Sequence, residues 1–242
     1  MKVDYFCAMA QKKLKRFKEI GGFSNVLEYP EAMAGNWHSH FGNKHPIILE
    51  LACGRGEYTV GLASLYPYKN FIGVDIKGNR LWVGAKRALD RKLQNAAFLR
   101  TQIDRIDEYF ASGEIDEIWI TFPDPQLRGS KAKKRLTHPK YLRLYNHFLK
   151  PGGAIHLKTD SPDLYKFTKL VATLYALKID TDHKDLYENE GLIEDLHIKT
   201  HYEGLDIAGS NTIFYFAFRL PNAMIENDEE LSSLLKVQMA GV

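Results

Sequence analysis

The chain has 242 residues, 45% of them hydrophobic and 12% aromatic, with a formal net charge of +3. That is enough apolar material to bury the core of one catalytic domain of ordinary size. No window has the length and apolarity of a bilayer-spanning helix, the first ten residues hold no signal-peptide core, and Cys7 and Cys53 form neither a disulfide framework nor a thiolate zinc site. A cytoplasmic protein without membrane attachment is expected.

In chain order, a basic extension over 1–36, helical in part, carries Lys12, Lys13, Lys15, Arg16 and Lys18. Its lysines interleave with Leu14, Phe17 and Ile20, so the segment either grips RNA or caps the core. The main domain is expected over 37–221. Its early histidines, His38, His40 and His45, have no carboxylate or thiol close in sequence and are read as polar loop residues, so no metal is expected. Ile47 to Leu51 is a continuous apolar run, as in a parallel strand covered on both faces, and Glu57 to Leu65 reads as its crossover helix. The alternation continues with a strand at Phe71–Val74, a helix at Arg80–Leu93 and a strand at Ala97–Arg100. A strand at Glu117–Phe122 is then stopped by the prolines of Pro123-Asp124-Pro125. A helix over Pro139–Leu149 and a glycine turn at Lys150–Gly153 lead into a strand at Ala154–Lys158, followed by strands at Ala176–Ile179 and Thr212–Arg219. The last alternates apolar and aromatic residues and suits a closing hairpin at a sheet edge. Residues 222–242 form an acidic tail with Glu226, Asp228, Glu229 and Glu230. The pattern predicts a doubly wound, Rossmann-like α/β sheet, mostly parallel with an antiparallel closing strand.

In such sheets ligands sit beyond the carboxyl ends of the strands. The first loop there reads Leu49-Glu50-Leu51-Ala52-Cys53-Gly54-Arg55-Gly56-Glu57. Gly54 and Gly56 allow close approach of a ligand, and the helix behind them offers its positive dipole end. Asp75 ends the next strand about 20 residues on, the usual place for a carboxylate that binds ribose hydroxyls. A dinucleotide turn would carry a third glycine where Thr59 stands, and the acidic Glu50 before the turn favours S-adenosylmethionine over a pyrophosphate. Cys53 is read as a small packed residue.

The loop Thr121-Phe122-Pro123-Asp124-Pro125 places Asp124 at a strand end across the switch point, where an acceptor would lie. If the acceptor is a ring nitrogen with a lone pair and no proton, as at N7 of a purine, its methylation calls for alignment rather than a general base. A carboxylate can still hold the donor edge of such a base and favour the positive charge that develops on it. Asp124 is therefore the catalytic candidate. From Gln126 to Lys150 there are eight basic residues, Arg128, Lys131, Lys133, Lys134, Arg135, Lys140, Arg143 and Lys150, and no carboxylate, which points to a polyanionic partner.

From Trp37 to Arg219 the chain resembles the bacterial tRNA (guanine-N7-)-methyltransferases, a family of class I S-adenosylmethionine-dependent enzymes. The resemblance rests on Trp37 with Phe41-Gly42-Asn43, the Leu49–Gly56 turn and Phe71-Ile72-Gly73-Val74-Asp75. It continues through Phe122-Pro123-Asp124-Pro125, Lys134-Arg135-Leu136, Lys158-Thr159-Asp160 and Thr200-His201-Tyr202-Glu203. It implies cofactor contacts at Glu50, Gly54, Gly56, Asp75, Gln102 and Asp124, with S-adenosylhomocysteine as product. It also implies tRNA contacts at Arg128, Asp160, Thr200, Tyr202 and Glu203, and a guanine of the variable loop as target. The sequence departs from the family pattern at Ala52 in the glycine turn, at Gln126, where tryptophan is usual, and at Arg128-Gly129-Ser130. A methyltransferase of a small molecule or protein and a non-catalytic RNA-binding subunit of the same fold remain open as alternatives, as do monomer and homodimer.

Overall fold

The computed structural model describes residues 11, 13–189, 191–201, 203 and 212–240. The chain divides at Tyr109 and Phe110 into two compact units. In the first, helix α1 (residues 13–20) is followed by β1 (Val26–Glu28), α2 (Trp37–Phe41), β2 (Ile47–Leu51), α3 (Glu57–Leu65), β3 (Asn70–Asp75), α4 (Gly78–Asp90) and β4 (Ala96–Arg100). Strand order is β1-β4-β3-β2, all parallel. Every residue of β2 and β3 is buried, as the unbroken apolar runs require of strands covered on both faces. The predicted domain edge at residue 37 falls after β1, which already pairs Val26 with Phe98 in β4. Helix α1 packs on the core by burying Ile20, while the Arg16 guanidinium lies 4.8 Å from the centroid of the Trp82 ring. Lys13, Lys15 and Lys18 face outward.

The second unit holds β5 (Ile115–Thr121), α5 (Pro139–Asn146), β6 (Leu149–Thr159), α6 (Pro162–Leu174), β7 (Lys178–His183), β8 (Phe214–Arg219) and α7 (Asp228–Ala240). Its order is β5-β6-β8-β7, with β5 and β6 parallel and β8 antiparallel to both neighbours. The predicted antiparallel strand is thus present, but it is interior rather than at the edge. Phe216 and Phe218 are buried on one face and Tyr215 and Ala217 on the other, so β8 is covered on both sides and the more exposed β7 takes the rim. The expected turn at Lys150–Gly153 is part of β6, whose Leu149 already pairs with Ile115 before a register shift. α6 was not anticipated, although its start carries a plain signal: Ser161 accepts the Leu164 N–H at 3.2 Å and Pro162 follows in the first turn. The acidic tail contains a helix held by Asp228, which pairs with Arg143 and accepts the Tyr175 hydroxyl, and by the buried Leu231. Among the described residues no helix is long and apolar enough to cross a membrane.

Candidate functional site

The glycine turn of the first unit is built from left-handed backbone. Ala52, Gly54 and Gly56 have φ of 53, 56 and 65°. A side chain at Gly56 would also meet the Phe98 ring at 2.5 Å, so glycine is required there twice over. Gly54 donates its N–H to Asp75 Oδ2 at 3.0 Å, and Lys77 donates to Oδ1 at 2.8 Å. Asp75 is therefore held rigidly at the end of β3, with oxygen lone pairs left to receive a ribose diol. Glu50 is 3% exposed, and its Oε2 accepts both the backbone N–H and the hydroxyl of Thr59, at 2.8 and 2.5 Å. Its carboxylate thus ties β2 to the first turn of α3.

This explains the missing third glycine. Thr59 needs its hydroxyl for Glu50, and the space is made on the opposite strand: a Cβ on Gly73 would lie 2.6 Å from Thr59 Oγ1. Gly84 of α4 likewise lets the helix approach the turn, where a Cβ would stand 2.7 Å from the Arg55 carbonyl oxygen. Cys53 is fully buried, and burial first, then the carboxylates of Glu50, Asp75 and Glu57, push its thiol well up. Gln102 is exposed beyond β4, at the start of a 3-10 turn in which its carbonyl accepts the Arg105 N–H. The turn and the Asp75 carboxylate fit a nucleoside-bearing cofactor. His38 Nε2 lies 3.1 Å from the His45 carbonyl oxygen, which accounts for one of the loop histidines.

In the second unit, Asp124 is exposed on the loop after β5, and its Oδ1 caps the Gln126 N–H at 3.0 Å. Phe122 and Gln126 both have positive φ, at 46 and 49°. The strained loop is held by Arg135, whose Nε donates to the carbonyls of Pro125 and Gln126 at 3.2 and 3.3 Å while its guanidinium lies 4.5 Å from the Phe167 ring centroid. Burial pushes the Arg135 guanidinium down from its usual range. The neighbouring strand β6 ends at Thr159 and is followed by the half-buried Asp160, and Phe122 donates its N–H to the Lys158 carbonyl at 2.8 Å, so the loops bearing Asp124 and Asp160 leave the sheet side by side.

The basic stretch separates into two roles. Arg135 is buried, Arg143 pairs with Asp228 and Lys150 with Asp116, whereas Arg128, Lys131, Lys133, Lys134 and Lys140 face solvent. Thr200 and Glu203 are brought together: the Glu203 N–H donates to Thr200 Oγ1 at 3.2 Å and the Thr200 N–H to Glu203 Oε2 at 3.4 Å. The same oxygen takes the ammonium of Lys158 at 3.1 Å, and Tyr187 donates its hydroxyl to Oε1. The predicted contact Tyr202 lies outside the described residues. Sequence reasoning counted Arg135 in the basic stretch and gave Lys158 only as part of a motif, and it missed the structural role of both, because their partners are distant in sequence or are backbone carbonyls.

A family model described as "Putative methyltransferase" matches residues 44–215. The chain is 46% identical over 222 residues to the tRNA (guanine-N(7)-)-methyltransferase of Bacteroides thetaiotaomicron, covering 88% of this chain and 87% of that one. It is 49% identical to the same enzyme of Porphyromonas gingivalis, covering 82% and 85%. Among solved structures, the 16S rRNA methyltransferase KamB superposes with a TM-score of 0.58 at 16% identity, covering 77% of this chain and 94% of that one, a likeness of fold. Taken with a glycine turn fastened to a strand-end carboxylate and an acid-bearing Phe-Pro-Asp-Pro loop, these matches place the chain in the tRNA (guanine-N(7)-)-methyltransferase family.

Proposed function

We propose that this protein transfers the methyl group of S-adenosylmethionine to N7 of a guanine in tRNA, with a guanine of the variable loop as target, and acts in the cytoplasm. The observation that carries the reading is Asp124: an exposed carboxylate on a loop locked by buried Arg135, flanked by the solvent-facing Arg128, Lys131, Lys133 and Lys134.

When bound, the sulfonium cofactor supplies an electrophilic methyl group. Asp75, with Gly54 and Gly56, would bind its ribose and backbone-facing parts, and Gln102 would lie on the adenine side. Glu50 serves by holding the turn through Thr59. Asp124 accepts hydrogen bonds from the N1 and N2 edge of guanine, aligns N7 and favours the cationic product, with Asp160 and Thr200 as further purine contacts. No base is needed, since N7 carries no proton. Arg128 and the exposed lysines bind phosphates, which fixes the RNA without reading its sequence.

The test is incubation of unmodified tRNA with labelled cofactor, followed by chain cleavage at N7-methylated guanine. Label is expected at 7-methylguanosine. Asp124→Ala is expected to lower kcat by roughly 100-fold or more with the fold intact. Label in another base, or normal turnover by Asp124→Ala, overturns the reading.

A further inference from the structure

The Lys158 side chain is completely buried, with an exposure of 0%, two residues before Asp160. It donates to the carbonyls of Leu196 and Ile198 at 3.0 and 3.1 Å and to Glu203 Oε2 at 3.1 Å, with the Tyr187 hydroxyl at 3.3 Å. It also lies 5.8 Å from the Phe122 ring centroid and 5.6 Å from that of Tyr187. One cation at the end of β6 thus gathers the Phe-Pro-Asp-Pro loop, a 3-10 turn (Glu194–His197) and the Thr200–Glu203 segment.

Burial pulls the Lys158 pKa down, and Glu203 works against that pull. A buried ion pair gains little net stability over a packed apolar pair, because desolvation consumes most of the Coulomb attraction. What the pair does supply is direction. Leu196 and Ile198 present backbone carbonyls that an apolar side chain would leave without a donor, and the Glu203 carboxylate is spent on Lys158, Tyr187 and the Thr200 N–H. Glu203 is therefore turned inward and holds Thr200, whose hydroxyl accepts the Glu203 N–H and carries a proton of its own that a purine acceptor can take.

Building on the proposed function, we propose that Lys158 is a positioning residue: its buried ammonium locks the 194–203 segment through Glu203 so that Thr200 is presented to the acceptor guanine.

Lys158→Met keeps the stem of the side chain and removes the charge. Three quantities are measured: cofactor Kd, steady-state kinetics on tRNA, and amide hydrogen exchange without RNA. The expected result is a kcat on tRNA at least 30-fold lower, cofactor Kd within twofold of wild type, and amides of 194–201 exchanging at least tenfold faster while those of β5 and β6 keep their rates. A merely structural lysine would loosen the whole unit and weaken both ligands together, and that outcome overturns the proposal. So does turnover within threefold of wild type, or unchanged exchange over 194–201. If Lys158→Met does not fold, Glu203→Gln, equal in shape and without the charge, is expected to give the same local exchange and the same kinetic split. Wild-type protein that leaves guanine N7 untouched would refute the proposed function instead, while exchange in the RNA-free variants still reports whether the clamp exists.

Discussion

Thr59 gives both its backbone N–H and its hydroxyl to a single oxygen of Glu50, at 2.8 and 2.5 Å, in a site with almost no access to water. A hydrogen bond to a buried charge contributes more than a neutral one, and its loss leaves the carboxylate underpaired. Thr59→Val is therefore expected to cost about 2–3 kcal/mol by urea titration. The same change should raise cofactor Kd, because the turn it anchors carries Gly54 and Gly56.

Ala52 stands in the left-handed region, φ 53°, at the position where the family pattern carries glycine. An L-residue there bears roughly 1–2 kcal/mol of strain, against about 0.5–1 kcal/mol of extra chain entropy that glycine loses on folding. Ala52→Gly is expected to raise the melting temperature by a few degrees, reflecting a net gain of up to about 1.5 kcal/mol. A lower Tm would show that the methyl group packs usefully.

His138 caps α5, accepting the Lys140 N–H on Nδ1 at 3.1 Å, and burial, opposed by Asp228, lowers its pKa to about 4. Below its ordinary value of 6.5 the unfolded chain takes up a proton that the native imidazole refuses. The contribution of this site to stability is therefore expected to fall as pH drops from about 6.5 to about 4. His138→Asn keeps a cap acceptor and should flatten that limb. The check is the urea midpoint at pH 7 and pH 4.5 for both proteins.

Lys133 and Lys134 are exposed on the 3-10 turn that follows Arg128. Replacing both with alanine is expected to raise the tRNA KM roughly tenfold at ~0.1 M salt and to shrink the slope of log affinity against log salt by roughly 1.4–1.8. Turnover of bound tRNA should hold, since neither side chain approaches Asp124's hydrogen bonds.

Most of the frame was legible in the sequence. The apolar runs marked β2 and β3, and Glu57–Leu65 matches α3 at both ends, because strands and helices buried on two faces leave unbroken patterns. β1 has only three residues, too few for a periodicity, and the alternation of apolar and aromatic residues in β8 suits an edge hairpin on sequence alone, whereas both of its faces are buried and β7 takes the edge. The glycine turn with Asp75, and Asp124 on its own loop, could be singled out as candidate positions. The inward commitments of Glu50, Glu203, Arg135 and Lys158 could not, since each depends on a partner brought near only by folding: Thr59 across a turn, or Glu203, which is 45 residues from Lys158.

A sulfonium is an alkylating agent, and the turn proposed to hold it contains a sulfur of its own. Buried among Glu50, Asp75 and Glu57, Cys53 keeps its proton at any physiological pH and has no thiolate to offer. The acidic surroundings that would suit a cationic donor also keep this thiol in its unreactive form, so the turn offers the methyl group no cysteine thiolate to alkylate.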